Sequence, residues 1–321
     1  MLFEPMQTPK NQPHGACLPR AEARSMERAS LRFADAQEQA VALSGWNQSY
    51  LQLSAGAFAG ELAQVEGNGI KLFVERVQQS VLQTGQLPPR VLALGVPLNA
   101  SGGGMFCGRA CDVHSVHLFS GQQGFEFRTS RQHTILGLEL QLGDAVDLSL
   151  PAGTLTHTVR PLAKIKSYVL DLYQQARREP ALLQNPAVVA AVSDFLLDSL
   201  LRKPNQPDAR PGCAHAHWTL VQRCVALVHA HTEAAPTVTE LCTEMGVSRR
   251  TLQNAFLRVL DMSPLAYVKA VRLKQAREAL KDAQSVTEAA TASGFWHFGH
   301  FAHDYQTMFG ERPSDTLRRN G

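Results

Sequence analysis

Three polar side chains near the end of the chain have the chemistry to read nucleic-acid bases. Arg250, Gln253 and Asn254 lie on the polar face of a predicted helix whose other face is apolar. Arginine can pair with guanine, and glutamine or asparagine can pair with adenine. Residues 249–281 carry eight basic side chains against two acidic ones, a surplus that suits contact with phosphate groups. A solvated helix face is the alternative explanation for these basic residues.

A pattern that occurs twice predicts the elements that position these side chains. Segments that begin at Thr237 and Ser285 each carry a glutamate three residues later, which fits a capping box at the start of a helix. Each segment then reaches a glycine, Gly246 or Gly294, which can end a helix in the left-handed conformation. A second helix is predicted after each glycine. The sequence therefore predicts two tandem helix-turn-helix units, each of which places its second helix in a DNA major groove.

A long helix is predicted between the two units. Ser263-Pro264 marks its start, because serine can cap a helix and proline fits the first turn. Continued to about residue 282, the helix would be roughly 27 Å long. That length suits recognition helices in successive major grooves, which lie roughly 34 Å apart. Arg272, Lys274 and Arg277 are its candidate phosphate contacts, although a turn of about 3.6 residues prevents all three from facing one duplex.

The second predicted recognition helix has few side chains that can read bases. Phe301 and Tyr305 are expected to point inward, with Phe298 as a further candidate for that face. Glycine and alanine carry no hydrogen-bond code, so this half is expected to contribute affinity and positioning more than base selection. The predicted outward residues are Trp296, His297, Gly299, His300, Ala302 and His303.

The region from about residue 220 to 319 resembles the C-terminal DNA-binding domain of the AraC family of transcriptional regulators. The residues that carry the resemblance are Ala290, Gly294-Phe295, Phe301, Tyr305, Phe309-Gly310 and Pro313. Within the family, residues 248–256 and 294–306 look most like the regulator of the ethanolamine-utilisation operon. The resemblance covers the last third of the chain and only fragments of the rest.

The resemblance implies roles for individual residues and for partners. The implied base contacts are Arg250, Gln253, Asn254, Gly299, His300, Ala302 and His303. The implied phosphate contacts are Ser248, Arg249, Thr251, Arg272, Lys274, Arg277 and His297. Double-stranded promoter DNA and RNA polymerase are the implied macromolecular partners, and a homodimer is a further expectation. The implied effector is an ethanolamine-like amine, with cobalamin as a candidate co-effector, and the implied activity is activation of an operon for amine catabolism.

Composition places the chain among ordinary two-domain proteins. It has 321 residues, of which 44% are hydrophobic and 18% charged, and a net charge of +3. Because that charge is small, contact with nucleic acid must come from local clustering. No apolar run reaches the roughly 18 residues of a membrane span, and the first residues do not form a signal peptide. We therefore expect a cytoplasmic protein with no membrane partner, whose six scattered cysteines are reduced thiols.

The expected fold is mixed α+β and has four regions. Residues 1–29 are a tail that is predicted to be partly disordered, and residues 30–202 are an effector-sensing and dimerisation domain. Residues 203–214 are a proline-rich linker, and residues 215–321 are the all-α DNA-binding domain. Short apolar stretches separated by turn residues predict a β-sandwich or barrel, cupin-like by resemblance. The predicted strands are 58–65, 70–77, 91–96, 113–119, 125–127 and 134–140, and the predicted flanking helices are 162–178 and 186–202.

Candidate binding chemistry in the N-terminal domain is weaker. Trp46, Tyr50 and Phe58 are candidates to line an effector pocket, and ordinary core aromatics are the equal alternative. Cys107, Cys111 and His114 are metal-ligand types, but their spacing is not that of a standard zinc pair. We expect buried strand thiols and no metal site.

Two alternatives to a regulator remain open on the sequence. One is an alkyl-accepting DNA-repair regulator, which would need four clustered cysteines where only Cys107 and Cys111 are close. The other is a barrel-domain enzyme that binds no DNA. The chain has no nucleophile elbow, metal-hydrolase motif or dinucleotide fingerprint, so we expect no enzymatic activity.

Overall fold

A computed structural model describes residues 30–121, 124–143, 153–154, 159–201, 213–231 and 236–320. The predicted tail, 1–29, and residues 203–212 of the predicted linker lie outside these residues. The described part is mixed α+β, with antiparallel sheets in the N-terminal half and helices in the C-terminal half, as predicted.

The N-terminal half contains two antiparallel sheets. Its strands are β1 (Leu31–Phe33), β2 (Asn47–Gln52), β3 (Gly60–Gly67), β4 (Ile70–Val77), β5 (Val81–Gln86), β6 (Val91–Ser101), β7 (Gly104–Phe106), β8 (Arg109–Cys111), β9 (His117–Ser120), β10 (Phe125–Arg128), β11 (Arg131–Gln141) and β12 (Gly153–Thr154). One sheet has the order β1-β3-β4-β11-β6-β9-β12, and the other has the order β2-β5-β10-β7-β8. Phe73 of the first sheet and Phe106 and Phe127 of the second belong to one buried cluster, so the sheets pack face to face.

Three helices belong to the N-terminal half of the described chain. They are α1 (Ala36–Ala42), α2 (Val159–Arg178) and α3 (Pro186–Leu201), and a short 3-10 helix (Pro180–Gln184) lies between the last two. Ile165 and Val169 of α2 and Val192 of α3 pack in one cluster with Leu72 and Leu138 of the first sheet. The two predicted flanking helices therefore cover that sheet.

The observed strands agree with the prediction in some places and differ from it in others. The predicted strands 58–65 and 70–77 correspond to β3 and β4, which are joined through Asn68 and Gly69, whose φ angles of 43° and 81° suit a two-residue hairpin turn. The expected strand 113–119 is wrong in its first half, because β9 begins only at His117. Strands β2 and β5 were not predicted, because glutamine, serine and threonine interrupt their apolar pattern.

The C-terminal half is helical. Its helices are α4 (Cys213–Ala230), α5 (Val238–Met245), α6 (Arg249–Leu260), α7 (Pro264–Ala279), α8 (Val286–Ala292), α9 (Phe298–Phe309) and α10 (Pro313–Asn320). Helix α4 packs on α6 through Val221 and Val225 against Leu252 and Phe256. Its start at Cys213 makes the last two residues of the predicted linker helical.

The two halves share part of their core. Leu51 and Leu82 of the sheet β2-β5-β10-β7-β8, and Leu53 just after β2, lie in the same buried cluster as Phe256 and Val268 of the helical half. Backbone hydrogen bonds also join the two halves, since the Gly56 amide donates to the carbonyl oxygens of residues 307 and 308 at 3.1 Å. The helical domain is therefore docked on the second sheet.

Candidate nucleic-acid interface

The first helix-turn-helix unit is formed by α5, the Gly246 turn and α6. The predicted capping box is present: the Thr237 amide donates to Glu240 Oε2 at 2.7 Å, and the Glu240 amide donates to Thr237 Oγ1 at 3.2 Å. Gly246 has φ 67° and ψ 33°, the left-handed conformation that ends α5. The Val247 amide then donates to the Cys242 carbonyl at 3.0 Å, which closes the turn.

The second unit, formed by α8, the Gly294 turn and α9, repeats this geometry with one difference. The Glu288 amide donates to Ser285 Oγ at 3.1 Å, as in the first unit. The Glu288 carboxylate, however, accepts from the Gln284 amide at 2.8 Å, so the predicted second capping box forms only its hydroxyl half. Gly294 has φ 78°, and the Phe295 amide donates to the Ala290 carbonyl at 2.9 Å. The two turns are therefore built alike.

Helix α6 presents its predicted base-reading face to solvent. Leu252 and Phe256 are fully buried, which fixes the rotation of the helix about its axis. Arg250, Gln253 and Asn254 are exposed on the opposite side. All three predicted base contacts of this helix therefore lie on one accessible face.

The start of α6 is suited to binding an anion. Ser248 caps the helix by accepting from the Thr251 amide at 3.1 Å, and the Arg249 guanidinium donates to Thr239 Oγ1 at 3.1 Å. Ser248, Arg249 and Thr251 are all exposed. Unpaired amides and the helix dipole make such a terminus favourable for a phosphate group. These three predicted phosphate contacts therefore lie together.

In helix α9, too, the buried and exposed side chains are those that the sequence predicts, with one exception. Phe301 and Tyr305 are buried as expected, but Phe298 is 43% exposed, so its inward placement was wrong. Phe295, before the helix, packs against Phe301 at a ring distance of 4.9 Å. Trp296, before the helix, is 72% exposed. The other predicted outward residues, His297, Gly299, His300, Ala302 and His303, are exposed as well.

The connector helix α7 does not present all its basic side chains to solvent. Lys274 Nζ lies 2.6 Å from Ser49 Oγ of strand β2, and Arg277 is 7% exposed. Arg272 lies beside the second turn, where its guanidinium group would be 3.9 Å from a Cβ added at Gly294. In this arrangement Lys274 and Arg277 face the N-terminal domain, so the structure does not bring them together with the exposed phosphate contacts. Their partners lie far away in sequence, which is why local charge clustering did not reveal this.

Arg277 is held by groups from both domains. Its Nε lies 2.5 Å from Asp35 Oδ2, its Nη1 lies 2.9 Å from Glu311 Oε1, and its guanidinium carbon lies 4.6 Å from the ring centre of Phe309. Burial alone would raise the pKa of Asp35, but the Arg277 charge and the hydrogen bond from the Glu38 amide hold that pKa below its usual value. Asp35 is therefore an anion that is paired across the domain boundary.

A second arginine, which sequence reasoning missed, supports the end of the first recognition helix. Arg128 of β10 donates from Nε to the Val259 carbonyl at 2.8 Å. The last carbonyls of a helix lack partners within the helix and carry partial negative charge, so a cation is favourable there. Arg128 thus ties the N-terminal domain to the end of α6.

The predicted effector-pocket aromatics are core residues. Trp46 packs edge-on against three phenylalanines at 5.2 Å, 5.6 Å and 5.7 Å and donates from Nε1 to Glu139 at 2.7 Å. Tyr50 is buried in a different cluster with Phe58, and its hydroxyl donates to Glu75 at 2.7 Å. Tyr50 and Phe58 line a cavity of about 20 Å³, which has room for about one water molecule. The structure separates Trp46 from the other two, and the effector pocket stays a prediction.

The candidate metal residues lie around the β7–β8 hairpin. Cys107 and Cys111 pack against the aromatic cluster between the sheets, whereas His114 is exposed. Burial raises the pKa of Cys107 to about 11 and the pKa of Cys111 to about 12, so both thiols are uncharged at neutral pH. Among the described residues, no group of three or more histidine, cysteine, aspartate or glutamate side chains is placed to hold a metal ion. No helix in the described part of the chain is long and apolar enough to cross a membrane.

Comparison with known proteins agrees with this geometry. Residues 241–319 match the family model of a helix-turn-helix domain. The chain is 32% identical over 165 residues to a probable thc operon regulatory protein from Rhodococcus erythropolis, a match that covers 47% of this chain and 48% of that protein. It is 33% identical over 102 residues to the XylDLEGF operon transcriptional activator from Pseudomonas putida, which covers 30% of this chain and 32% of that protein. The crystal structure of a probable AraC family transcriptional regulator from Rhodopseudomonas palustris is 38% identical, with a TM-score of 0.30, and covers 32% of this chain and 97% of that chain.

Two helix-turn-helix units joined by a connector helix define a DNA-binding domain. Residues 241–319 of this chain are therefore a helix-turn-helix domain similar to those of transcriptional regulators, the class that the AraC resemblance predicts. These relatives are regulators and not enzymes, in agreement with the prediction, and none of the three is named for ethanolamine. The matches span 48% and 32% of the two operon regulators, so the likeness covers less than half of either protein.

Proposed function

We propose that this chain is a sequence-specific activator that binds promoter DNA through both helix-turn-helix units and controls an operon for the catabolism of a small molecule. The observation that carries this proposal is that α6 and α9 both expose their recognition faces while the helical domain is docked on the N-terminal domain. The docked arrangement therefore does not cover the residues that would read DNA. RNA polymerase and a second copy of the chain are the further partners of this proposal, and its location is the cytoplasm.

The effector is a separate part of the proposal. The likeness of residues 248–256 and 294–306 to the ethanolamine regulator supports an ethanolamine-like amine, with cobalamin as co-effector. The relatives support only regulation of an operon, since they are named for other operons. A small-molecule effector of the N-terminal domain is thus proposed with ethanolamine as its first candidate.

Base reading by α6 is tested by measuring binding to DNA from upstream of the gene and to random DNA of equal length. Arg250→Ala is expected to relax specificity at one or two adjacent base pairs, at a cost of about 1 to 3 kcal/mol on the preferred sequence only. Arg223→Ala is the matched control, because Arg223 is an exposed arginine of α4 outside both units. Equal weakening on both DNAs in Arg250→Ala would contradict base reading.

Engagement of the second unit is tested through tryptophan emission. The chain has three tryptophans, and Trp296 is the one that is largely exposed, since Trp46 is buried and Trp218 is half-buried. Cognate DNA is expected to change the red-shifted emission of Trp296 in the full chain, and Trp296→Phe is expected to remove that change. Tight DNA binding with unchanged emission would mean that α9 stays outside the complex.

A further inference from the structure

A cleft of 440 Å³ lies between the two domains, away from the recognition faces. Its N-terminal wall comes from residues 53–55, 80, 101–103, 128 and 130–131, and its C-terminal wall is the turn 260–262 that follows α6. A volume of several hundred Å³ is typical of sites for small molecules, which often lie between domains. Neither the predicted effector aromatics nor the predicted DNA contacts line it.

The cleft carries more positive than negative charge. Two guanidinium groups, of Arg128 and Arg131, line it together with the single carboxylate of Asp261. Arg131 is exposed and makes one long hydrogen bond, to the Ala55 carbonyl at 3.5 Å. Within the described residues, no carboxylate lies within ion-pair distance of either arginine. An arginine without an acidic partner is suited to bind a carboxylate through two hydrogen bonds.

The hydroxyl groups of the cleft supply both a donor and acceptors. Ser130 is 4% exposed, and its buried hydroxyl has no hydrogen-bond partner, which is uncommon in folded proteins and calls for a cause. Ser80 and Ser101 already donate, to the carbonyl oxygens of Thr129 at 2.7 Å and of Arg131 at 3.0 Å. Their oxygens therefore keep lone pairs that can accept a hydrogen bond from a ligand.

We propose that this cleft binds a small organic acid that also carries an ammonium or hydroxyl group. The ligand carboxylate pairs with Arg131 and accepts from Ser130, and the ligand donor group bonds to Asp261 and the serine oxygens. An amine without a carboxylate leaves the guanidinium groups without an anion, so the site is not one for ethanolamine. The observations that carry the proposal are an arginine without a carboxylate partner among the described residues, the unpartnered buried hydroxyl and the volume of a cleft that is open to solvent on one side.

The position of the cleft gives the ligand a route to the DNA-binding domain. Asp261 is the left-handed residue that ends α6, with φ 57°, and Arg128 donates to the carbonyl of Val259, two residues earlier. A ligand that contacts both residues stabilises the end of the first recognition helix and the docking of the two domains together. This consequence rests on the proposed DNA-binding function, whereas binding of the ligand does not.

Binding is measured on the full chain without DNA, by thermal unfolding and calorimetry. The central probes are L-serine, 3-hydroxypropionate and ethanolamine, which share a short chain and differ in the carboxylate and the ammonium group. The other common amino acids, short hydroxy acids and inorganic phosphate complete the panel, at concentrations up to about 10 mM so that millimolar dissociation constants are seen. At least one amino or hydroxy acid is expected to bind, and ethanolamine and phosphate are expected not to bind.

Two variants and a control locate the site. Arg131→Gln is expected to weaken binding by about tenfold or more, as for the loss of a hydrogen bond to a charged group. Ser130→Ala is expected to weaken binding without lowering the unfolding temperature of the free protein, since it removes a hydroxyl that has no partner. Arg178→Gln, which changes an exposed arginine of α2, is expected to leave binding unchanged.

Four results would overturn the proposal: no binding by any acid, equal binding of ethanolamine, equal binding of phosphate, or acid binding that Arg131→Gln does not weaken. Each is independent of whether the chain binds its upstream DNA. A chain that binds an acid in this way but no DNA would keep the site and reject the proposed function.

Discussion

Asp35 and Arg277 are 242 residues apart in the chain, yet Asp35 Oδ2 lies 2.5 Å from Arg277 Nε. The other carboxylate oxygen of Asp35 accepts from the amides of Gln37 at 2.8 Å and Glu38 at 3.0 Å and so caps α1. One carboxylate thus starts a helix of the N-terminal domain and neutralises a cation of the connector helix. The sequence had suggested that this cation contacts DNA phosphate.

Removing one partner of this buried pair is expected to destabilise the protein strongly. Arg277→Met should lower the free energy of unfolding by about 3 to 5 kcal/mol, because it leaves the buried carboxylate uncompensated. The control is Arg76→Met, since Arg76 is 59% exposed in its pair with Glu61 and such pairs contribute at most about 1 kcal/mol. Urea unfolding measures both, and an equal loss in the two variants would contradict the buried pair.

Substitution by alanine is expected to have different effects at two glycines that share the same backbone conformation. Gly246 and Gly310 have φ angles of 67° and 74°, so alanine at either position costs about 1 to 2 kcal/mol in strain. A Cβ at Gly246 meets nothing within 4 Å, whereas a Cβ at Gly310 would lie 2.9 Å from the backbone nitrogen of Ala57 in the other domain. Gly310→Ala should therefore also loosen the docking of the domains.

Hydrogen exchange at Gly56 reports on that docking, because its amide donates to the carbonyl oxygens of residues 307 and 308. Gly310→Ala is expected to accelerate exchange there, and Gly246→Ala is expected to leave it unchanged. Faster exchange in both variants would show that loss of stability, and not the clash with Ala57, is the cause.

The salt dependence of DNA binding should separate exposed from docked cations. Arg249→Gln is expected to lower the slope of log affinity against log salt by about one, as for one lost phosphate contact. Lys274→Gln is expected to leave the slope unchanged, because Lys274 lies against Ser49 and Glu278 in the docked arrangement. Fluorescence anisotropy over a salt series measures both, and a lower slope in Lys274→Gln would mean that the domains separate on DNA.

Two buried histidines should make the fold sensitive to acid. Burial lowers the pKa of His117 to about 3 and the pKa of His133 to about 4, from the usual 6.5. Below pH 6.5 the unfolded chain therefore takes up protons that the folded chain does not, so stability falls as pH falls. Glu126 acts in the opposite sense down to about pH 4.5, because burial raises its pKa to about 7.

For His117, His133 and Glu126 together, the net difference between pH 6 and pH 4.5 is about one proton, which corresponds to about 1.4 kcal/mol of unfolding free energy per pH unit. His117→Phe keeps a ring in the aromatic cluster and removes one of the titrating groups, so its stability should depend on pH less steeply than that of the unchanged protein, by about 1.4 kcal/mol per pH unit in this window. Urea unfolding at several pH values measures the slope. If the free energy of unfolding of the variant fell with pH as steeply as that of the unchanged protein, His117 would not stay neutral in the fold.

The helix-turn-helix units could be predicted because their signals are local. Thr237, Glu240 and Gly246 act on backbone within a few residues of themselves, and the apolar period of α6 fixes which side of it meets solvent. For the same reason Arg250, Gln253 and Asn254 were placed correctly on the exposed face. Strands β2 and β5 escaped prediction because their polar residues find partners only in the assembled domain, as Gln83 does with the buried Glu75.

Tertiary structure alone decided which basic residues of the connector helix meet solvent and which meet the N-terminal domain. The spacing of Lys274 and Arg277 defines a helix face but not what covers it, and the residues that cover it, Ser49 and Asp35, lie more than 200 residues earlier. The cleft at Arg131 arises in the same way, from walls that are distant in sequence. Capping and periodicity are short-range forces and can be read along the chain, whereas ion pairs and cavities between domains depend on how distant segments pack.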